Sequence, residues 1–436
     1  MMAIPPWAVD VLRRGVGGVM EKMPPDAIDQ LKKRATDLFN ELPQTAAKSV
    51  DSVLRNAKAG KESLHRWSRR HIALVTPVVN ASGCLTNPKI AGVPIGNDAI
   101  EVAVEAFQSG ALTSDVARDR LQKRLTKTIA SSDVGVLVTS TIDGACLGIA
   151  SANRGVPIYC HRSQSQRLAS GSPIPDAFGA GHEVGSIDRI DANDTRSIPD
   201  SAVVVGVDNG TDGAWFKSMA SSATRVRVML LPIATLNGSD VAITPKPASI
   251  LATLSNAADL VVTPGDATMG GPRCGLIIGK RALLDKIVAS AVWPAVVADI
   301  SVQAAMTMTM ESLAAGDVES VPVLAMMATS EENLRSRAER LVTRIAAESI
   351  VRSCEVTDKP ATLSPSGPWS LPSRQLKMSH RDLSAIDWAA KLAADVPAVI
   401  VAVDGEYVVV DLRWIQPVDD VALVATLVGG VAESVA

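Results

Sequence analysis

Three kinds of residue in this chain could do chemistry. Asp133, Asp143 and Asp208 each fall near the end of an apolar run, where paired carboxylates could share acid and base work. No spacing motif links them, and the plainer reading is caps and turn residues. His161-Arg162 directly follows the run Val156–Cys160, the position where ligand sites gather in α/β sheets; a satisfied loop pair is the plainer alternative. The five cysteines, Cys84, Cys146, Cys160, Cys274 and Cys354, are odd in number, widely spaced and without a C-x-x-C pair. Reduced thiols fit that pattern better than disulfides or a zinc site. The densest signal is Thr263-Pro-Gly-Asp-Ala-Thr-Met-Gly-Gly-Pro-Arg-Cys-Gly-Leu-Ile-Ile-Gly-Lys280. It lies between a buried strand and a helix, with glycines where a backbone must approach something closely.

The elements that would position these residues follow from hydrophobic periodicity. Short apolar runs predict strands at Val134–Val138, Val156–Cys160, Ala202–Val207, Val226–Leu231, Leu260–Thr263 and Gly275–Ile278. Helical segments are expected at Asp98–Gln108, Asp115–Ile129, Ala248–Ala257 and Arg281–Val288. This alternation predicts an α/β fold with a mostly parallel sheet covered on both faces. A long helix over about 294–315 leads to a smaller α+β unit. There a helix is expected at about 329–349, then the loop Ser364-Pro-Ser-Gly-Pro368 and a hairpin of Ala398–Val403 and Glu406–Leu412. Asp404-Gly405 suits a type I′ turn for that hairpin, and a last helix spans about 418–428. The first 70 residues read as two or three helices, one opened by Pro24-Pro25-Asp26. The expected division is a helical segment 1–72, a large domain 73–310 and a small domain 311–436.

Composition narrows the function. Of 436 residues, 47% are hydrophobic, and mean hydropathy is +0.19, so the chain can bury a large core. Aromatics are only 3% and net charge is −3, which argues against base-stacking sheets and against a global field for DNA. The charge is uneven. Residues 1–71 hold 13 Lys/Arg against 8 Asp/Glu, a balance of +5, and the remainder carries −8. Arg66, Arg69 and Arg70 cluster at the end of this basic piece, beside Trp67. An ordinary solvated helical face and a tRNA-binding module both fit it. No signal peptide precedes the chain and no stretch reads as a membrane span, so a cytoplasmic protein is expected.

The segment 263–280 resembles the S-G-D-K-x-x-G-G-P-Q-x-G-x-I-x-G-K stretch of bacterial selenocysteine synthase, the L-seryl-tRNA(Sec) selenium transferase family. Val79-Asn-Ala-Ser-Gly83 is similar to that family's I-N-A-T-G, and His182-Glu-Val-Gly-Ser-Ile-Asp-Arg189 to its H-E-V-G-T-T-N-R. Ser370-Leu371-Pro372 and Val399–Arg413 resemble its S-L-P and its closing hairpin. The order holds from about 77 to 428. The resemblance implies the fold-type-I large domain of pyridoxal-phosphate (PLP) enzymes, PLP as cofactor, and a homodimer or larger homo-oligomer. The basic N-terminus stands where the family carries its tRNA-binding domain.

Within the resemblance, five departures fall in the pocket. The Schiff-base lysine position reads Ala267, and without an amine no internal aldimine forms there. The acidic partner of the pyridinium falls on Leu230 or Leu231. The phosphate cradle reads Thr139-Ser140-Thr141-Ile142-Asp143, whose hydroxyls can still bind phosphate but whose Asp143 opposes an anion. The ring-stacking imidazole is replaced in Asp208-Asn-Gly-Thr211, and Leu85-Thr-Asn-Pro-Lys-Ile90 lacks the family's arginine. By resemblance, the remnant cofactor pocket comprises Thr139, Ser140, Thr141, Arg162, Asp208, Asp266, Gly270, Gly271 and Arg273. Arg273 replaces a family glutamine, either to bind an anionic ligand or to fill space. The expectation is a family relative without covalent PLP, acting as a binding, scaffold or regulatory homologue. Two alternatives stay open: an active transferase, or an enzyme reusing the pocket for another ligand; and tRNA binding through 1–71.

Overall fold

The computed structural model describes residues 75–429 apart from 110–114, 130–132, 162–166, 169–170, 180–183, 188–197, 209, 211–215, 217–223, 239–240 and 366. The chain divides into two compact units, Met1–Val75 and Thr76–Ala436. The helices expected in the first 70 residues, the Arg66/Arg69/Arg70 cluster and Arg162 lie outside the described residues.

A seven-stranded sheet carries the second unit. Its strands are β2 (Val134–Thr139), β3 (Ile158–His161), β4 (Val184–Ile187), β5 (Val203–Val207), β6 (Val226–Leu230), β9 (Leu260–Pro264) and β10 (Gly275–Lys280). The spatial order is β2-β10-β9-β6-β5-β3-β4. All pairings from β9 to β4 are parallel, and only β10 runs antiparallel to its neighbours β9 and β2. The expected mostly parallel α/β sheet is therefore present.

Alternation explains why its strands read as continuous apolar runs. Val136, Val138, Val204, Met229, Val261, Leu276 and Ile278 pack into one core. Leu137, Val203, Val205, Val228, Val262 and Ile277 pack into the other. Successive side chains point to opposite faces and both faces are covered, so no position is left for a polar residue. Ile142–Ala152 and Arg281–Val288 cover the second face; Asp115–Thr128 and Ile300–Ala315 cover the first.

Several elements differ from the sequence expectation. The helix over 294–315 is two helices, Trp293–Val296 and Ile300–Ala315. Between them Val297 is extended and bridges to Thr139, Ala298 N–H donates to the Val138 carbonyl, and the Asp299 carboxylate caps the new helix at Ser301 N. The helix expected over 329–349 is present as Glu331–Ile345, where Ser330 caps at Asn333 N, and a separate helix not expected from the sequence, Pro322–Ala328, precedes it. Short side-chain oxygens that accept an N–H of a new first turn end one helix and start another.

The C-terminal sheet has five strands in the order β1-β15-β16-β14-β11: β1 (Val78–Ala81), β11 (Val351–Thr357), β14 (Gln375–His380), β15 (Ala398–Asp404) and β16 (Tyr407–Asp411). Strand β1 pairs in parallel with β15, so the first strand of the expected large domain belongs to the small sheet. The hairpin also turns differently. Asp404 pairs with Tyr407, which makes Gly405 and Glu406 the central residues; only Gly405 has positive φ, as in a type II′ rather than a type I′ turn. Among the described residues no helix is long and apolar enough to cross a membrane.

Candidate ligand pocket

Strand β9 ends at Pro264, and the chain then folds a compact turn before β10 begins at Gly275. Gly265 N–H donates to the Cys274 carbonyl and Gly271 N–H to the Gly265 carbonyl, both at 2.9 Å, which closes the loop on itself. A Cβ at position 265 would lie 2.3 Å from the Cys274 sulfur, so only glycine fits that crossing. Ala267–Met269 makes one 3₁₀ turn, and Thr268 anchors it by donating its hydroxyl to the Ala234 carbonyl at 2.6 Å.

Ala267 sits in the left-handed region at φ 52°, unlike any other non-glycine among the described residues. Such a conformation costs an alanine about 1–2 kcal/mol. Its side chain is 1% exposed and belongs to an apolar cluster with Leu85, Ile233, Val323, Met327 and Trp369.

Beside this turn opens a cavity of about 640 Å³, inside the range of small-molecule sites. Its polar wall includes Thr86, Asn87, Arg167, Asp266, Arg273 and Ser364. Leu230, Ile233, Ile142, Leu168 and Ile174 supply apolar surface. Asp266 is half-buried, and burial pushes its carboxyl above the ordinary carboxylate range while the positive charge of Arg273 opposes the rise. Arg273 is exposed.

The expected pocket residues divide sharply. Asp266 and Arg273 are in the cavity wall. Gly270 and Gly271 are buried in the turn and do not reach the wall. Thr139, fully buried, donates its hydroxyl to the Thr141 and Gly275 carbonyls at 2.8 and 3.1 Å. Ser140 donates to the Val297 carbonyl at 3.1 Å, and Thr141 accepts from Gly144 N–H as the cap of Ile142–Ala152. Asp208 accepts from Gly210 N–H at 2.9 Å, a local turn outside the cavity wall. Asp143 stands half-buried in the first turn of Ile142–Ala152, favourable to the helix dipole and unfavourable to an anion there. Cys146 is pushed well above the usual thiol range by burial, and Cys160 to about 12 by burial, so neither is a nucleophile. Sequence reasoning missed Arg167 and Ser364 as wall residues, while Thr86 and Asn87 lie in the segment Leu85–Ile90 that the resemblance places in the pocket. Ser364 sits in a loop already legible from its Ser-Pro-Ser-Gly-Pro composition, but nothing local tied that loop to residue 266.

The sequence model for L-seryl-tRNA selenium transferase matches residues 234–416, the stretch that holds this turn and most of the small sheet. The L-seryl-tRNA(Sec) selenium transferase of Salmonella paratyphi A (strain ATCC 9150 / SARB42) is 24% identical over 370 residues, covering 78% of this chain and 74% of that protein. That of Salmonella typhimurium (strain LT2) is 25% identical over 373 residues, with the same coverage. Over these stretches the chain is similar to the L-seryl-tRNA selenium transferases. In three dimensions it is similar to D-glucosaminate-6-phosphate ammonia-lyase, with TM-score 0.59, 13% identity, and coverage of 81% of this chain and 95% of that one. Serine palmitoyltransferase from S. paucimobilis with a bound PLP-myriocin aldimine aligns at TM-score 0.44 and 12% identity, covering 81% and 86%.

The wall of this selenium-transferase-like pocket does not fit covalent PLP. Among the described residues no lysine lines it, and Ala267 lies in the apolar cluster. Leu230 and Leu231 are each at most 1% exposed, one in either core of the sheet. An unpaired carboxylate in their place would cost several kcal/mol of desolvation. The Thr139 and Ser140 hydroxyls already serve protein carbonyls.

Proposed function

We propose that this protein is a selenium-transferase homologue that has given up covalent PLP chemistry and acts as a ligand-binding or regulatory relative. One observation carries the proposal: the family's Schiff-base position is an alanine lodged in an apolar cluster instead of facing the cavity. The cavity itself is retained, with an open volume and two charged walls, which favours binding over a filled-in scaffold. Absorption spectra of the purified protein, alone and with one equivalent of PLP, test this. The expected spectrum lacks a protein-bound aldimine band; a band that borohydride bleaches would overturn the proposal.

The same reading assigns a homo-oligomer. Ile100, Val104 and Phe107 recur at helical spacing on Asn97–Ser109 and stand exposed, Phe107 at 73%. Phe107→Asp should lower the mass seen by light scattering; a concentration-independent monomer in the unmutated protein would contradict the assignment. Transfer-RNA binding through residues 1–71 rests on their +5 balance and on the Arg66/Arg69/Arg70 cluster. It is supported if tRNA affinity falls steeply with salt and is lost when 1–71 are removed.

A further inference from the structure

Asp266 and Arg273 face the same cavity with opposite charges, yet they do not join. Among the described residues neither side chain makes an ion pair or a hydrogen bond to another residue; the Asp266 carboxylate is met by its own backbone N–H and by the positive charge of Arg273. Other pairs of opposite charges have closed into contact: Asp259 holds Lys280 at 2.6 Å, and Arg337 holds Asp420 at 2.5 Å. Two opposite charges held apart across a cavity wall are solvated by whatever occupies the gap between them. Water can do this, but a molecule with one charge of each sign does it with two charge-assisted hydrogen bonds.

The rest of the wall fits a small organic molecule rather than an ion. The Ser364 hydroxyl has no protein partner, and Arg167 spends one donor on the Gly171 carbonyl at 2.6 Å. Thr86 is already committed to the Leu363 carbonyl. Leu230, Ile233 and Ile142 line the same cavity, apolar surface that favours a ligand with a carbon skeleton. Gly92 stands over both charged residues: a Cβ there would be 3.9 Å from the Asp266 carboxylate oxygen and 3.9 Å from the Arg273 Cβ.

We propose that this cavity binds a small zwitterion without covalent attachment, its ammonium group on Asp266 and its acid group on Arg273. The proposal rests on the loss of covalent PLP argued above, since no lysine then competes for the ligand. Binding weakens on acidification as Asp266 is protonated.

Calorimetric titration of the full-length protein tests this with glycine, β-alanine, γ-aminobutyrate, taurine and O-phosphoethanolamine, which vary the spacing and the acid. N-acetylglycine and glycinamide, each with one charge removed, serve as controls. At least one zwitterion should bind with a dissociation constant of about 1 mM or tighter. Asp266→Asn and Arg273→Gln should each weaken it by about tenfold or more, and a control matched to that zwitterion by a similar factor. Arg273 is exposed and Asp266 has no hydrogen bond to another residue to lose, so an unchanged circular dichroism spectrum accompanies both variants. If no zwitterion binds, or if single-charge molecules bind equally well, the proposal is wrong. A colourless protein that binds none of the panel overturns only this inference, whereas a reducible aldimine overturns the reading beneath it.

Discussion

Two regions lie in the stretch similar to the selenium transferases, the turn at 264–275 and the small-domain knot around Asp411, and they differ in how their polar groups are satisfied. At the knot, Asp411 is 1% exposed and accepts from Ser373 at 2.7 Å, Gln375 at 2.8 Å and Arg413 N–H at 2.8 Å. The Arg413 guanidinium donates to the Met326, Thr329 and Pro372 carbonyls. At the turn, the glycine and backbone crossings are tight, but among the described residues Asp266 and Arg273 face a cavity without hydrogen bonds to other residues. The first region is a closed structural device. The second is a scaffold that holds charges for something else. A retained motif therefore marks function only where its polar groups remain unspent.

The comparison breaks first, if it breaks, at the knot. Asp411→Ala should destabilise the protein by about 3–5 kcal/mol, because three donors lose their acceptor and the buried Arg413 guanidinium loses its nearby counter-charge. Urea unfolding reads this as a lower midpoint at constant slope; a change under about 1 kcal/mol would show the knot is dispensable. Ala267→Lys should cost about 1–3 kcal/mol by forcing a long cation into the apolar cluster, and should form no stoichiometric aldimine with added PLP. Ala267→Gly should instead stabilise by about 1 kcal/mol, since glycine adopts φ 52° without strain. A destabilised glycine variant would mean the alanine methyl is worth more in packing than the backbone costs.

The pH dependence of the small domain sharpens the contrast further. His380 Nδ1 accepts from the Asp382 and Leu383 N–H groups at 3.0 and 3.1 Å, which requires the unprotonated nitrogen. Its ring stands edge-on to Trp388, and Asp382 and Lys391 are the charges that act on it. Desolvation lowers its folded pKa below the ordinary 6.5, with Asp382 opposing and Lys391 adding. The unfolded chain then binds a proton more readily, so this contribution is fully present above pH 6.5 and is lost as pH falls below it. Stability measured against His380→Gln should fall on acidification from about pH 7 to 5; an unchanged or rising difference would refute the assignment. The smallest effect belongs to the open charges. Asp266→Asn and Arg273→Gln should each change stability by no more than about 0.5 kcal/mol, in contrast to Asp411→Ala.

Much of the fold was legible because its strands are buried on both faces. Val134–Val138, Val226–Leu231 and Gly275–Ile278 are apolar at every or nearly every position, and each is a strand. Strands β11 and β14 escaped notice because Arg352, Ser353 and Glu355 are exposed on an edge, while Gln375 and Ser379 are buried polar residues with partners. The pairing of Val78–Ala81 with β15 spans more than 300 residues of sequence, and no local pattern encodes such a contact. In the pocket, the identities at 230, 266, 267 and 273 were readable one by one. Their division between cavity wall and apolar cluster was not, because it depends on which way one turn faces. Thr139 and Ser140 show the same limit: hydroxyls suited to phosphate are spent on the carbonyls of residues 141, 275 and 297.

The central claim is that no lysine of this protein forms the family's aldimine. The most direct measurement is borohydride reduction of the full-length protein after equilibration with one equivalent of PLP, followed by peptide mass mapping. The result expected is an absence of stoichiometric pyridoxyl-lysine at any position. A single lysine carrying close to one pyridoxyl group per chain would contradict the account.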